Sequence, residues 1–455
     1  MTHVSVAVIG AGPTGMTVAT LLAQYGIETL VLERWPDVYP QPRAVHLDDE
    51  VYRIVDRLGV AGEFAKISRP ALGLQLVDEQ LNVMARFHRG PGRCGFPQAN
   101  MFDQPELETL LRDNASRYPQ IHLRAGVEVT GVEPGRITLA DGAVIECDYI
   151  LGCDGANSLV RRSIGVAMKD LGFDQRWLVV DIATTADLRQ WDGVYQVCST
   201  RRAATYMRIG DARYRWEFQL LPGESASDYG TLEALRPLLA PWTEEPDLEL
   251  VRVTEYTFRA LLAQRWRHGN TFLLGDAAHL TPPFIGQGMG AGMRDAMNLA
   301  WKLARVLRGE LPPEVLDTYE RERKPHARAM IRLALMVGRA MTSGGRLGDL
   351  LRRVVVPRLH LIPGLRTKMV DSTTPALKVR DGRVSRSRLT GRLYPGAPWG
   401  NGFAVVSARP LSDAEQAHAD ACGATVQIVS GATADWLRGQ TLLVRPDFTV
   451  ARRIS

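Results

Sequence analysis

Three short stretches of the chain carry residue types suited to holding a negatively charged, hydroxyl-rich ligand. They are "GAGPTG" at 10–15, "GCDGANSLVRRS" at 152–163 and "GDAAHLTPPFIGQGMG" at 275–290. In the first, Gly10 permits a tight turn, Gly12 lets backbone N–H groups approach a pyrophosphate, and Gly15 allows a helix to pack on its strand. Pro13 and Thr14 open that helix, where the positive end of the backbone dipole favours phosphate. Glu33 ends the next apolar run, where a carboxylate can accept hydrogen bonds from ribose hydroxyls, and Arg34 follows it. This is a dinucleotide fingerprint, and alone it does not separate NAD from FAD. In the third stretch Asp276 stands at a strand's end, suited to polyol hydroxyls. Pro282 and Pro283 stiffen the loop. Gly286, Gly288, Met289 and Gly290 then offer backbone N–H groups at the head of a helix, a cradle for developing negative charge. His279 has the look of a base but is read as ordering its loop. No residue set is assigned to a metal.

The surrounding elements must place these stretches side by side. "VSVAVIG", "GMTVATLLAQYG" and "ETLVLER" read as strand, helix and strand, the opening of a parallel, doubly wound α/β sheet. Residues 1–176 are expected to form the first part of this Rossmann-like domain, with an excursion near 70–100 into a second domain. From 177 to 265 aromatic, β-rich segments such as "ATYMRIGDARYRWEFQLLP" predict an antiparallel sheet, making the chain α+β overall. Residues 266–345 return to the first domain with long helices. The Arg-, Pro- and Gly-rich stretch 346–388 reads as a connector, and 389–455 resumes αβ alternation as a small module.

Composition narrows the class. Hydrophobic residues make up 45% and charged residues 23%, an ordinary globular mix. The net charge of +5 is scattered rather than gathered into a stripe, which argues against nucleic acid. The cysteines Cys94, Cys147, Cys153, Cys198 and Cys422 have no paired spacing, which fits a reducing cytoplasm better than a disulfide framework. A strand and glycine turn occupy the place of a leader, and arginines interrupt the best apolar run, "AMIRLALMVGRAM", so no membrane span is expected.

The three motifs in this order resemble the group A FAD-dependent aromatic hydroxylases, whose familiar members are para-hydroxybenzoate hydroxylase and phenol hydroxylase. "PRAVHLDDEVYRIVDRLGV", "GFPQANMFDQPELETLLR" and "HLTPPFIGQGM" are most similar to 3-(3-hydroxyphenyl)propionate hydroxylases. The resemblance covers roughly residues 4–340. It implies FAD as cofactor, NADH or NADPH as a transient electron donor without a Rossmann domain of its own, and O2 and a phenolic ring as substrates. It implies transfer of oxygen from a flavin C4a-hydroperoxide to the carbon ortho to the existing hydroxyl. Residue by residue, it assigns Asp276 to the ribityl chain, Asp154 and Gly155 to FAD, and Arg43 to the pyrophosphate. Gln104 falls near the ribityl chain, and Val129 joins the FAD contacts. Pro283 lies at the flavin's reactive edge. Many relatives have Asn where this chain has Gly290.

For the substrate, His46 with Asp48 or Asp49 behind it could take the phenol proton; Asp48 could equally be a helix cap. Tyr195, Tyr206 and Trp216 are candidates for ring contact, and Arg208 or Arg201 for a carboxylate. Arg215 could touch the flavin or form a cross-strand ion pair, and Arg161 could simply brace its turn. The tail resembles the thioredoxin-like module of larger members but lacks CxxC, so packing or homodimer formation is expected of it. The alternatives are a tailoring hydroxylase of an aromatic polyketide or other natural product, and a non-catalytic FAD-binding protein.

Overall fold

The computed structural model describes residues 2–40, 44–342, 374–379, 387–397 and 399–454. The strand Thr2–Ile9 pairs in parallel with Val144–Gly152 on one side and Thr29–Glu33 on the other. Thr271–Leu273 and Ile121–Ala125 extend the sheet in parallel at either side of these three. Val6, Ala7 and Val8 are buried whichever way they point, as expected of a parallel strand covered on both faces. The helix Pro13–Gln24 covers one face, packed against the long helix Gly288–Leu307. Within that long helix every residue from Gly290 to Ala304 is buried. The three glycine-bearing stretches therefore leave the carboxyl ends of three adjacent strands, the edge at which open α/β sheets take ligands.

A second eight-stranded sheet stands against this layer. Its spine is the pair Met168–Ala183 and Glu249–Ala263, followed by Arg213–Gln219, Ala204–Arg208 and Val194–Val197. The first of these strands starts at Met168, before the expected boundary at 177. The sheet is mixed rather than purely antiparallel, because Gly73–Val77 joins Val194–Val197 in parallel. That strand comes from the 70–100 excursion and brings its hairpin partner Val83–His88. Residues 182, 214, 216 and 218 pack on a core completed by Leu235, Leu239 and Trp242 of the segment containing the helix Leu232–Leu239. The opposite face carries Leu76, Phe87 and Cys198, which meet Met341 of the helix Asp317–Thr342.

The C-terminal segment forms a four-stranded sheet, with Ala404–Ser407 parallel to Thr425–Ile428 and antiparallel to Thr441–Val444, which pairs with Val450–Ile454. It is docked on the first layer. Arg445 grips Glu322 at 2.8 and 2.9 Å, Asn298 reaches Asp447 at 3.2 Å, and Arg53 bonds the Tyr394 carbonyl beneath the Phe448 ring. Among the described residues no helix is long and apolar enough to cross a membrane.

Candidate active site

The first turn is built as its glycines require. Gly10 has φ 102°, and a β-carbon there would lie 2.5 Å from the Cys153 carbonyl oxygen; one on Gly15 would strike the Gly10 carbonyl. Gly12, by contrast, faces open space, with nothing within 4 Å of a β-carbon placed on it. It caps the helix beginning at Pro13 and Thr14 without a side chain, so the first amides there are left for a ligand. Glu33 braces the turn from the next strand, accepting from Ala11 N at 2.8 Å and Trp35 N at 3.0 Å. Arg34 is exposed, its guanidinium 5.2 Å from the Trp35 ring centre. Arg43 lies outside the described residues. Just after it, Ala44 N donates to Gln104 Oε1 at 2.5 Å, and Gln104 in turn donates to Glu108. Val129 opens the strand Val129–Glu133, half-buried.

Asp154 accepts from Val160 N at 3.0 Å through one oxygen. Its other oxygen is buried with no partner among the described residues, an acceptor awaiting a donor. Gly155 turns the chain at φ 76°, and Arg161 then ties this stretch to the third by donating to the carbonyls of Ala156 and Ala277 at 2.8 and 2.9 Å. Asp276 sits half-buried in the single turn Gly275–Ala277. His279 is buried at 2.8 Å from Asp295, which also accepts from Gly275 N and from Arg323. This is a brace beneath the loop. The helix beginning at Gly288 has no side-chain cap, because Gln287 turns instead to Asp48. The amides of Gly288, Met289 and Gly290 are thereby left uncapped. At Gly290 a β-carbon would lie 2.7 Å from a Val51 methyl, so the packing here is made for glycine. An open glycine turn, two uncapped helix heads and an orphaned carboxylate oxygen together fit a dinucleotide such as FAD.

His46 lies on the short strand His46–Leu47, paired with Asn100–Phe102. Gly286, at φ 60°, closes over it; a β-carbon there would come within 2.9 Å of Nδ1. Burial first, then the Arg89 charge, pull the imidazole down to about 4. Asp48 takes the capping place that the sequence allowed it. It is fully buried, caps the helix Asp49–Arg57 by accepting from Val51 N at 2.9 Å, and takes further bonds from Gln287 and Arg294. Asp49 accepts from Cys94 N at 3.2 Å.

The second sheet corrects several expected substrate contacts. Tyr195, Tyr206 and Trp216 all point into the core backed by the helix Leu232–Leu239, stacked around one another and Trp242. Arg208, on the same face as Tyr206, bonds the Gly210 carbonyl and lies over Tyr214. Exposed Arg201 lies 3.6 Å from Glu79. Strand alternation puts their immediate neighbours in the chain on the other face. There Trp177 meets Phe284 of the proline loop, ring centres 6.1 Å apart, and Met207 packs with Val45 and Met101 beside His46. Phe284 itself fills the space left by Gly338, where a β-carbon would run into its ring. On this face Arg215 closes on Asp181 through two bonds of 2.6 and 2.9 Å, a buried cross-strand pair. The residues between the aromatics in "TYMR" and "RYRWEFQ" thus line the wall opposite the loop. Alternation alone could have found them once the helix-backed face was known.

Residues 3–334 match the family described as FAD binding domain. The chain is 38% identical over 371 residues to 3-(3-hydroxy-phenyl)propionate/3-hydroxycinnamic acid hydroxylase 2 of Burkholderia vietnamiensis, covering 80% of this chain and 68% of that protein. The chain belongs to the FAD-dependent aromatic hydroxylases. This hydroxylase is also 38% identical over 350 residues to a probable NADH-specific resorcinol 4-hydroxylase of Rhodococcus jostii, covering 74% of this chain and 66% of that one. It therefore spans about two thirds of the length of these relatives. Its fold is that of anhydrotetracycline hydroxylase from Streptomyces rimosus, at a TM-score of 0.80 and 23% identity over 100% of this chain and 96% of that one. Aklavinone-11 hydroxylase, solved with FAD and aklavinone, gives 0.77 and 23% over 99% and 95%.

Proposed function

We propose that this hydroxylase uses NADH or NADPH and O2 to add a hydroxyl group to a phenolic ring, ortho to the one already there. The substrate is of the class named for its relatives, 3-(3-hydroxyphenyl)propionate or resorcinol. One observation carries this reading: the inner face of the second sheet stands opposite the proline loop, with His46 at its margin. A flat ring held between them would lie over the flavin edge. FAD, when bound, supplies electron storage and oxygen activation, chemistry that no side chain here can perform.

The chain's own residues hold and shield. The turn at Gly10–Gly12–Gly15 with the head of the first helix would take the pyrophosphate, Glu33 and Asp276 would take ribose and ribityl hydroxyls, and Asp154 would offer its unused oxygen. The amides at 288–290 would offer donors to the end of a bound flavin on which charge accumulates. Pro282, Pro283, Phe284 and Ile285 keep water from the reacting edge. His46, neutral at pH 7, accepts the phenolic proton and makes the ring more electron-rich. The C-terminal strand order, second–first–third–fourth with the last two antiparallel, supports a thioredoxin-like module. Without CxxC it serves packing.

The test is NAD(P)H consumption by the FAD-loaded protein against phenylpropionates, resorcinols and polycyclic phenols, with product mass analysis. A phenol that gains one oxygen is expected. If no phenol stimulates consumption, the reading fails.

A further inference from the structure

The wall that faces the proline loop presents one row of side chains across five strands: Gln196, Thr205, Glu217, Val179 and Thr254. Most of its polar groups are already engaged. The Gln196 amide donates to the carbonyls of Val197 and Ala204, and its oxygen accepts from Thr205. The Thr254 hydroxyl accepts from Arg252. In the next row Arg215 and Arg252 both close on Asp181, at 2.6 and 3.8 Å. Glu217 is different. It is 8% exposed, and no hydrogen bond to its carboxyl group occurs among the described residues. A carboxyl on a largely buried side chain that spends no hydrogen bond on its neighbours is open to an occupant of the space before this wall.

We propose that Glu217 is the specificity-determining residue of the pocket: its carboxyl group hydrogen-bonds an uncharged oxygen substituent on the bound ring, a second hydroxyl or a carbonyl. It excludes rings that would set a carboxylate against this wall. This rests on the proposed function and divides its two substrate classes. Side and register place the group. Glu217 lies on the face of Trp177, which touches Phe284, and of Met207, which packs beside the His46 strand. Burial pushes the Glu217 carboxyl above its ordinary value, Arg215 opposing and Asp181 adding to it. A carboxylate accepts from a ring hydroxyl, and the protonated form, which burial favours, also donates to a carbonyl. A substrate carboxylate would add a second acid beside Asp181, while the two arginines of this face are already drawn to that residue.

The experiment titrates FAD-loaded wild type, Glu217→Gln and Glu217→Leu with resorcinol and with 3-(3-hydroxyphenyl)propionate, reading the flavin absorbance change without reductant. Wild type is expected to bind resorcinol more tightly than the propionate. Glu217→Leu should weaken resorcinol roughly tenfold, as loss of one buried hydrogen bond would, and narrow or invert the preference. Glu217→Gln, which keeps shape and hydrogen bonding, should restore most of the resorcinol affinity. A wild type that prefers the propionate overturns the proposal. So does a Leu variant that retains FAD and the wild-type ratio of affinities, or a Gln variant as weak as the Leu variant. If no phenol stimulates NAD(P)H consumption by wild type, the proposed function has failed instead, a separate result.

Discussion

The half-buried His46 ring, drawn out of water and facing the Arg89 charge, stays neutral over most of the working pH range, because desolvation and Arg89 both penalise the imidazolium. That state suits an acceptor of a phenolic proton, and it has a cost in acid. In the unfolded chain His46 takes its proton near 6.5, whereas in the fold it does so at about 4. The unfolded state therefore binds the proton first, and stability present above pH 6.5 is lost as the pH falls toward 4. Replacing His46 by Gln should remove about 1–2 kcal/mol of the loss between pH 7 and pH 5, measured by urea unfolding at both. The same variant should keep its FAD and slow hydroxylation by about a hundredfold or more. Unchanged turnover would leave His46 as packing only.

At the scale of elements, the helix Asp49–Arg57 is fastened to the flavin loop through its cap. Asp48 accepts from Val51 N, Gln287 and Arg294 at once, and Arg294 also reaches Glu50. Removing one partner from a buried pair leaves a charge stranded. Asp48→Ala should thus cost about 3–5 kcal/mol in urea unfolding, while Asp48→Asn, which can still cap, should cost clearly less; equal costs would mean the cap contributes nothing. The capping reading was legible from "HLDDEVYRIV", since an Asp before an amphipathic run is a helix start. The glycine turns and the acids at the strand ends were legible too, because these are local signals. The wall was not. In "TYMR" and "RYRWEFQ" large aromatics draw attention, but both faces of this sheet are covered, one by the helix Leu232–Leu239 and the other by Asp317–Thr342. Which face meets a ligand depends on packing between segments more than a hundred residues apart, and a strand's own alternation cannot tell the two apart. Arg215 takes the cross-strand ion pair that its sequence left open, and its partner Asp181 becomes visible only when the strands pair.

For the whole molecule, the C-terminal sheet is tied to the flavin layer through a buried ionic cluster. Glu322 receives Arg445, Lys302 and Asn298, while Arg445 also holds Asp447. Buried though it is, Glu322 is held well below the usual carboxylate range by Arg445 and Lys302, and burial pulls Lys302 down to about 8. An acid held low contributes stability above its ordinary value and loses it as the pH falls through the folded one, so acid should loosen this joint. Arg445→Ala takes from Asp447 its cationic partner and leaves Glu322 to Lys302 and Asn298 alone. It should cost about 3–5 kcal/mol and raise hydrogen exchange in Ala404–Ser407 and Thr441–Val444 before the sheet around Thr2–Ile9. Uniform exchange across both sheets would mean the two layers open as one.

A glycine within the helix Asp317–Thr342 weakens that helix by about 1 kcal/mol relative to alanine, yet Gly338 provides the recess in which the Phe284 ring rests. The depth of the seat under the reaction chamber's lip is thus set by a position on a helix that makes no part of the sheet wall. The wall decides which chemical groups a guest must carry, and the recess decides how far the lip stands from it. Preference and clearance are governed by separate residues, joined where the Phe284 ring meets Trp177.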